Sequence, residues 1–177
     1  NNLITANKFV ELDEEFNIIR QSIFNIGEPV ITTRSETSVI TMSGPEDIRI
    51  FHDQEHNKII FSGTKAVANT QLVCIAIGEY TFNSSSALNH QLIKSPMNNN
   101  EKNWSFVMIQ QKLKIIYKWY PLTICDLNTQ NELNINTVIP MPLIFAHARG
   151  STSGYSYYNI NNKTSENWFI VHIISDI

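Results

Sequence analysis

The chain has 177 residues, 42% hydrophobic and 16% charged, with a formal net charge of −3; this is enough apolar material for a buried core and excludes a disordered chain. Only 13 residues are Lys or Arg and no basic run occurs, so the electrostatic footprint of a nucleic-acid binder is missing. The longest apolar stretch, residues 138–146, contains Pro140 and Pro142 and falls well short of the roughly 18 residues a membrane-spanning helix requires.

In chain order, the first patterned segment spans residues 8–20. It reads as two strands, 8–12 and 16–20, around the acidic turn Asp13, Glu14 and Glu15. A block then opens with Glu46, Asp47, Ile48, Arg49 and Ile50, turns through the polar residues 53–57, returns as a strand over 58–63 and adds a third over 71–77. The second block opens with Glu101, Lys102, Asn103 and Trp104, continues as a strand over 105–109, turns at Gln110 and Gln111, and returns over 113–120 before a third strand, 122–127. In that return strand Leu113, Ile115, Tyr117 and Trp119 alternate with Lys112, Lys114 and Lys118, the period of a half-buried strand. The third block opens with His147, Ala148, Arg149, Gly150 and Ser151, passes through a loop rich in Asn, Ser and Tyr, and returns over 168–175.

The three openings lie 55 and then 46 residues apart. Blocks of several short strands, each headed by a polar cluster, predict an all-β chain: a partial β-propeller of about three blades (about 44–83, 101–140 and 147–177) plus an N-terminal hairpin, within one domain. Because three blades do not close a ring, the chain is expected to be part of a longer protein whose remaining blades lie elsewhere. A β-sandwich with coincidental spacing is the competing architecture. In a propeller the first strand of each blade lines the axis, so the polar openings would converge there.

Each opening carries recognisable chemistry. Asp47 and Arg49 are expected on one face of their strand, with Ile48 and Ile50 packed into the sheet; an arginine two residues on can orient a carboxylate or hold an anionic or hydroxyl-rich ligand. The same pair equally suits a structural ion pair. Glu101, Lys102, Asn103 and Trp104 combine acid, base, amide and indole, which suits a sugar ring whose C–H face stacks while its hydroxyls seek donors and acceptors; Trp104 also fits a core position. His147, Arg149 and Ser151 fall on one face of an extended segment, and Gly150 permits close approach by a ligand or strand.

Residues 44–51 followed by Ile59-Ile60-Phe61-Ser62-Gly63-Thr64 resemble the Glu-Asp-Pro-Arg blade of five-bladed β-propeller glycosidases and β-mannoside phosphorylases, with Ile48 where that motif has proline. Residues 101–104 with Ile116-Tyr117 and Tyr120-Pro121-Leu122, and 149–151 with Phe169-Ile170-Val171-His172, look like the next two blades of viral and bacterial relatives. The resemblance covers roughly residues 44–175. It implies Asp47 as proton donor to a glycosidic oxygen, Arg49 as a sugar or phosphate ligand, and Lys102 and Arg149 as further anion or hydroxyl contacts. A hydrolase would need a second carboxylate, for which Glu101 is the candidate. Asp47 and Glu101 are thus the expected catalytic residues, and Arg49, Lys102, Trp104, His147 and Arg149 the substrate contacts. The expected partner is an oligosaccharide or sugar phosphate, with no cofactor, metal, nucleic acid or membrane.

Other motifs carry less. His52-Asp53-Gln54-Glu55-His56 spells a zinc pattern, but needs a helix where the flanks predict a hairpin loop. Residues 150–154 resemble a nucleophile elbow with Thr152 in the nucleophile's place. His172, alternating with Trp168, Ile170 and Ile174, reads as a hydrogen-bonded core histidine. Cys74 and Cys125 sit in apolar runs and read as free thiols, with a single disulfide as the alternative. The sequence begins at Asn1 with no Met and no charged-then-apolar leader, so the expectation is that a start has been removed or the chain was cut from something longer; the expected location is cytoplasmic, with secretion as the alternative. The sequons at Asn83, Asn103 and Asn162 are no more than an Asn-rich composition produces.

Overall fold

The computed structural model describes residues 2–4, 7–24, 30–35, 38–43, 45–67, 73–80, 88–93 and 101–173. The chain is all-β and of partial-propeller type; a five-residue 3-10 segment, Leu143–His147, is the one helical element among the described residues. No helix there is long and apolar enough to cross a membrane. The chain divides into two compact units, Asn1–Leu92 and Ile93–Ile177, and each is taken by itself.

The first unit begins with β1 (Asn2–Ile4), which pairs in parallel with β5 (Ser38–Ser43); β4 (Val30–Ser35) pairs antiparallel on the other side of β5. The expected hairpin forms from β2 (Asn7–Leu12) and β3 (Ile18–Phe24). Its second strand starts two residues later than the pattern suggests, because Phe16 lies in the turn at φ 64°. Asp13 closes that turn by accepting from the backbone N–H of Glu15 and Asn17. The first block is a four-stranded sheet in the order β6 (Glu46–Asp53), β7 (Lys58–Ala66), β8 (Val73–Tyr80), β9 (Leu88–Ile93).

Strand β7 is buried without interruption from Ile60 to Thr64, the pattern of a strand covered on both faces. Phe61 is fully buried against Tyr80, with Phe9, Ile48 and Ile59 packed around them. Phe9 stacks on Tyr80 at 4.2 Å between ring centroids, the Tyr80 hydroxyl hydrogen-bonds Ser22, and the Asn7 amide donates to the carbonyl of Pro45 at 2.8 Å. These contacts seat the N-terminal hairpin on the β6–β9 sheet. Two buried aromatic rings of this kind contribute about 1.5–3 kcal/mol each.

The segment His52 to His56 is the end of β6 and its hairpin turn. Asp53 organises it, accepting from the His56 backbone N–H at 3.3 Å and meeting the His56 ring Nδ1 at 2.8 Å. Burial works to raise the Asp53 carboxyl, but the hydrogen bonds from His56 outweigh it and hold the group below its ordinary value.

The second unit is built on an antiparallel meander of β10 (Ser105–Ile109), β11 (Lys112–Trp119), β12 (Leu122–Leu127) and β13 (Leu133–Ile139). The simple alternation expected along β11 does not survive. A bulge between Ile116 and Lys118 sets Tyr117 outside the ladder register, so that Ile116 faces Ile124 while Trp119 pairs with Leu122. The extra residue moves Trp119 to the face of Ile116 instead of that of Ile115. One face then buries Val107, Ile116 and Ile124 with Trp119, Leu122 and Phe169 around them; residues of the other face, Phe106, Ile115 and Cys125, are also buried. Cys125 and Cys74 are free thiols. Burial pushes the Cys125 thiol up to about 11, with the Asp126 and Glu101 carboxylates adding to the effect.

The third block differs from its expected form. β14 (Ala148–Gly150) pairs with β17 (Val171–Ile173), and the Tyr-rich segment between them is itself a hairpin, β15 (Tyr155–Asn159) and β16 (Thr164–Trp168), not a loop. Trp168 therefore ends β16 and does not open the return strand. The Asn159 and Asn162 side chains explain the turn, each accepting from a backbone N–H two residues on, at 3.1 and 3.2 Å. His172 is exposed, a correction to its reading as core, because β14–β17 is only a two-stranded ribbon; it hydrogen-bonds Ser151 Oγ through Nδ1 at 2.7 Å.

Candidate functional site

In the first unit the polar opening lies on a β-bulge. Glu46 pairs with Thr64 and Arg49 with Ser62, so Asp47 and Ile48 together oppose Gly63. Asp47 adopts φ 52°, a left-handed conformation that Asp tolerates better than most residues, and its side chain is exposed. Gly63 is required there: a Cβ would come within 2.8 Å of Pro45 Cβ and 3.2 Å of the Glu46 carbonyl oxygen. Ile48 packs inward as expected. Ile50 is 57% exposed instead of packed into the sheet, because the groove it lines with Phe9, Phe61 and Tyr80 is open along that side. Arg49 is half-buried; that burial lowers its guanidinium pKa while the neighbouring Asp47 carboxylate opposes the shift. The bulge puts Arg49 on the face of Glu46, so the common face expected for Asp47 and Arg49 from simple alternation does not form, and Asp47 acts on Arg49 only as a neighbouring charge. Gly44, in the same motif, lies outside the described residues.

The opening of the second block is organised in the opposite way. Glu101 is only 7% exposed, yet its carboxylate is well provided for. The Trp104 indole N–H donates to Oε2 at 3.1 Å and the Tyr117 hydroxyl donates to Oε1 at 2.9 Å. The two donors meet edge to face, 5.7 Å between centroids. Tyr117 reaches Glu101 because it is the bulged residue of β11. Trp104, expected as a substrate contact or a core residue, is a core residue at 2% exposure whose polar edge holds Glu101.

Above this buried triad lies a cavity of about 530 Å³, lined by Glu101, Lys102, Asn103, Tyr117, Lys118, Trp119, Tyr120, Ala146, Ala148, Arg149 and Gly150. Glu101, Lys102 and Arg149, residues of two separate polar openings, come together here. Lys102 and Arg149 are both exposed, and the Arg149 guanidinium donates to the Ala148 carbonyl at 3.3 Å. Lys118 joins them, its Nζ 5.4 Å from the centroid of the Tyr117 ring. Gly150 lets β14 lie against the meander: a Cβ would meet the Ser105 hydroxyl, the Asn103 carbonyl oxygen at 3.0 Å and Trp119 Nε1 at 3.1 Å. Ser105 Oγ and Trp119 Nε1 are buried without a hydrogen-bond partner among the described residues.

His147 is exposed at the end of the 3-10 segment and does not line the cavity. Lys118, Trp119 and Tyr120 do line it although their sequence pattern reads only as strand. Among the described residues no three of His, Cys, Asp and Glu gather closely enough to hold a metal ion. Three cations and one internally engaged carboxylate give the cavity an excess of positive charge, and Tyr117, Trp119 and Tyr120 add aromatic surface. This combination suits a small ligand with anionic or hydroxyl oxygens and an apolar face. No protein-family model, curated protein or solved structure matches this chain.

Proposed function

We propose that this chain is a carbohydrate-active protein of propeller type, resembling the five-bladed glycosidases and phosphorylases, whose second unit binds a sugar or sugar phosphate in the cavity bounded by Glu101, Lys102, Lys118 and Arg149. The observation that carries the reading is the meeting of Lys102, Lys118 and Arg149 around a cavity with aromatic walls. Planar guanidinium and mobile ammonium groups hold phosphate or hydroxyl oxygens, and the aromatic rings take the C–H face of the ring. Binding is favoured over hydrolysis within this unit. Glycoside hydrolysis by the common route needs two carboxylates, whereas Glu101 is the one that lines the cavity and both its oxygens already accept hydrogen bonds.

A glycosidic-bond enzyme, with Asp47 as the acid, is the second reading. It is supported by the left-handed backbone of Asp47 on a bulge, a device found next to active sites. Two free thiols fit a reducing compartment, and with it a cytoplasmic location.

Calorimetric titration with mannose 1-phosphate, mannose and inorganic phosphate tests the binding. The sugar phosphate is expected to bind more tightly than mannose, with Arg149→Ala and Lys102→Ala each weakening it about tenfold, the loss of one charge-assisted contact. No heat from any of the three, or affinities unchanged in both variants, removes the reading. Release of product from activated glycosides, with and without phosphate, and its abolition by Asp47→Asn, would establish the enzyme over the binding protein.

A further inference from the structure

The β15–β16 hairpin carries chemistry that the cavity does not use. Its register pairs Tyr155 with Trp168, Tyr157 with Glu166 and Asn159 with Thr164, so these six residues share one face. Tyr155 is 71% exposed, Trp168 61% and Tyr157 46%. Large aromatic side chains left this open on one face would ordinarily be mobile, but Trp168 and Tyr157 are held. Trp168 meets Tyr157 edge to face at 6.2 Å between centroids, and its indole N–H donates to Glu166 Oε2 at 3.0 Å. Glu166 Oε1 accepts from the amides of Asn159 at 3.0 Å and Asn162 at 3.5 Å. These bonds, from Asn159 first and then Trp168 and Asn162, hold the Glu166 carboxyl below its ordinary value.

We infer that this face is a second carbohydrate-contact surface, separate from the cavity, that stacks a neutral oligosaccharide on Tyr155, Tyr157 and Trp168. The choice of occupant follows from charge and composition. Across residues 155–168 the ionised side chains are Lys163 and Glu166 alone, so the segment is neutral overall, and the Glu166 charge is already engaged by three donors. What remains is flat aromatic surface beside amides and hydroxyls, with no aliphatic residue on the face. A pyranose presents the matching pair, an apolar C–H face and a rim of hydroxyls. A protein partner with an aliphatic anchor would find no apolar pocket here, and an anionic ligand would find no cation on this face.

The test uses the full chain and three neutral probes: cellohexaose, mannohexaose and chitohexaose. At least one is expected to give saturation transfer to its ring C–H protons and to move the Trp168 indole N–H resonance. Trp168→Ala and Tyr157→Ala should each weaken that probe about tenfold, as loss of an aromatic anchor does, with the remaining amide spectrum unchanged; Tyr155→Phe, which keeps the ring, should bind as the parent does. Arg149→Ala, at the cavity, should leave this binding intact while weakening that of mannose 1-phosphate about tenfold, so the two sites fail independently. Binding of none of the three hexasaccharides, or binding lost in Arg149→Ala and retained in Trp168→Ala, overturns the inference.

Discussion

The opening of β6 and the segment that leads into β10 use similar ingredients, an acidic residue and a basic residue beside an apolar run, and end in opposite states. Asp47 is exposed on a bulge with a left-handed backbone; Glu101 is buried and accepts from two aromatic donors. The difference is one of neighbours. Glu101 has Trp104 three residues on and Tyr117 sixteen residues on, both able to donate a hydrogen bond while filling apolar space. Asp47 has the half-buried Arg49 two residues on, and its own side chain is exposed. A carboxylate heading a strand can therefore be a structural linchpin or a solvent-facing group, and the aromatic residues within its reach decide which.

The largest expected effect lies at Glu101. Glu101→Ala removes the carboxylate that accepts from the buried Trp104 indole and Tyr117 hydroxyl, which costs about 2–4 kcal/mol, whereas Asp47→Asn, which keeps a side chain tolerant of the left-handed backbone, should stay within about 0.5 kcal/mol. Urea unfolding of the two variants reads the contrast directly, and equal losses would erase it. Next is the bulge. Gly63→Ala forces a Cβ onto Pro45 and the Glu46 carbonyl and should destabilise by about 1–3 kcal/mol. Asp47→Gly removes the left-handed strain at φ 52° and should be neutral or mildly stabilising.

A pH experiment separates the two units' interiors by their thiols. Because burial raises the folded-state pKa of Cys125 from its ordinary 9.0 to about 11, its contribution to stability is complete below pH 9 and declines as pH rises from 9 through 11, since the unfolded chain ionises first. The decline should be shallower in Cys125→Ala, where the Cys74 thiol, also raised by burial, still contributes. Under native conditions at pH 8, iodoacetamide should modify the half-buried Cys74 ahead of the fully buried Cys125, a ratio that mass spectrometry gives directly. The smallest effect is expected at Trp119. Its indole N–H has no partner to lose, so Trp119→Phe should change stability by no more than about 0.5 kcal/mol. Trp104→Phe, which takes a donor from buried Glu101, should cost about 1–3 kcal/mol.

Much of the strand plan was legible because its signals are local. The acidic turn at Asp13 to Glu15, the hairpin around His52 to His56 and the limits of β12 follow from alternation broken by turn residues. The bulge at Tyr117 was not legible, since nothing in Lys-Ile-Ile-Tyr-Lys-Trp says which residue the partner strand will skip, and that skip decides which face Trp119 joins. The β15–β16 hairpin was hidden by its polar composition: its alternation is between aromatic and small polar residues with neither set buried, so it resembles a loop. Of the cavity, Glu101, Lys102 and Arg149 were recognisable by type and position, while Lys118 and Trp119 looked like ordinary members of an alternating strand.

By itself the sequence determined an all-β chain, its recurring strand blocks and the chemical character of their polar openings, because two-residue periodicity and turn propensity act over a few neighbouring positions. Tertiary structure alone decided that Glu101 is tied down and Asp47 is free of the core, that Arg149 joins Lys102 across 47 positions, and that His147 stands aside. Hydrogen-bond satisfaction and register are settled by atoms arriving from distant strands, and one inserted residue in a ladder is enough to reassign a side chain to the other face.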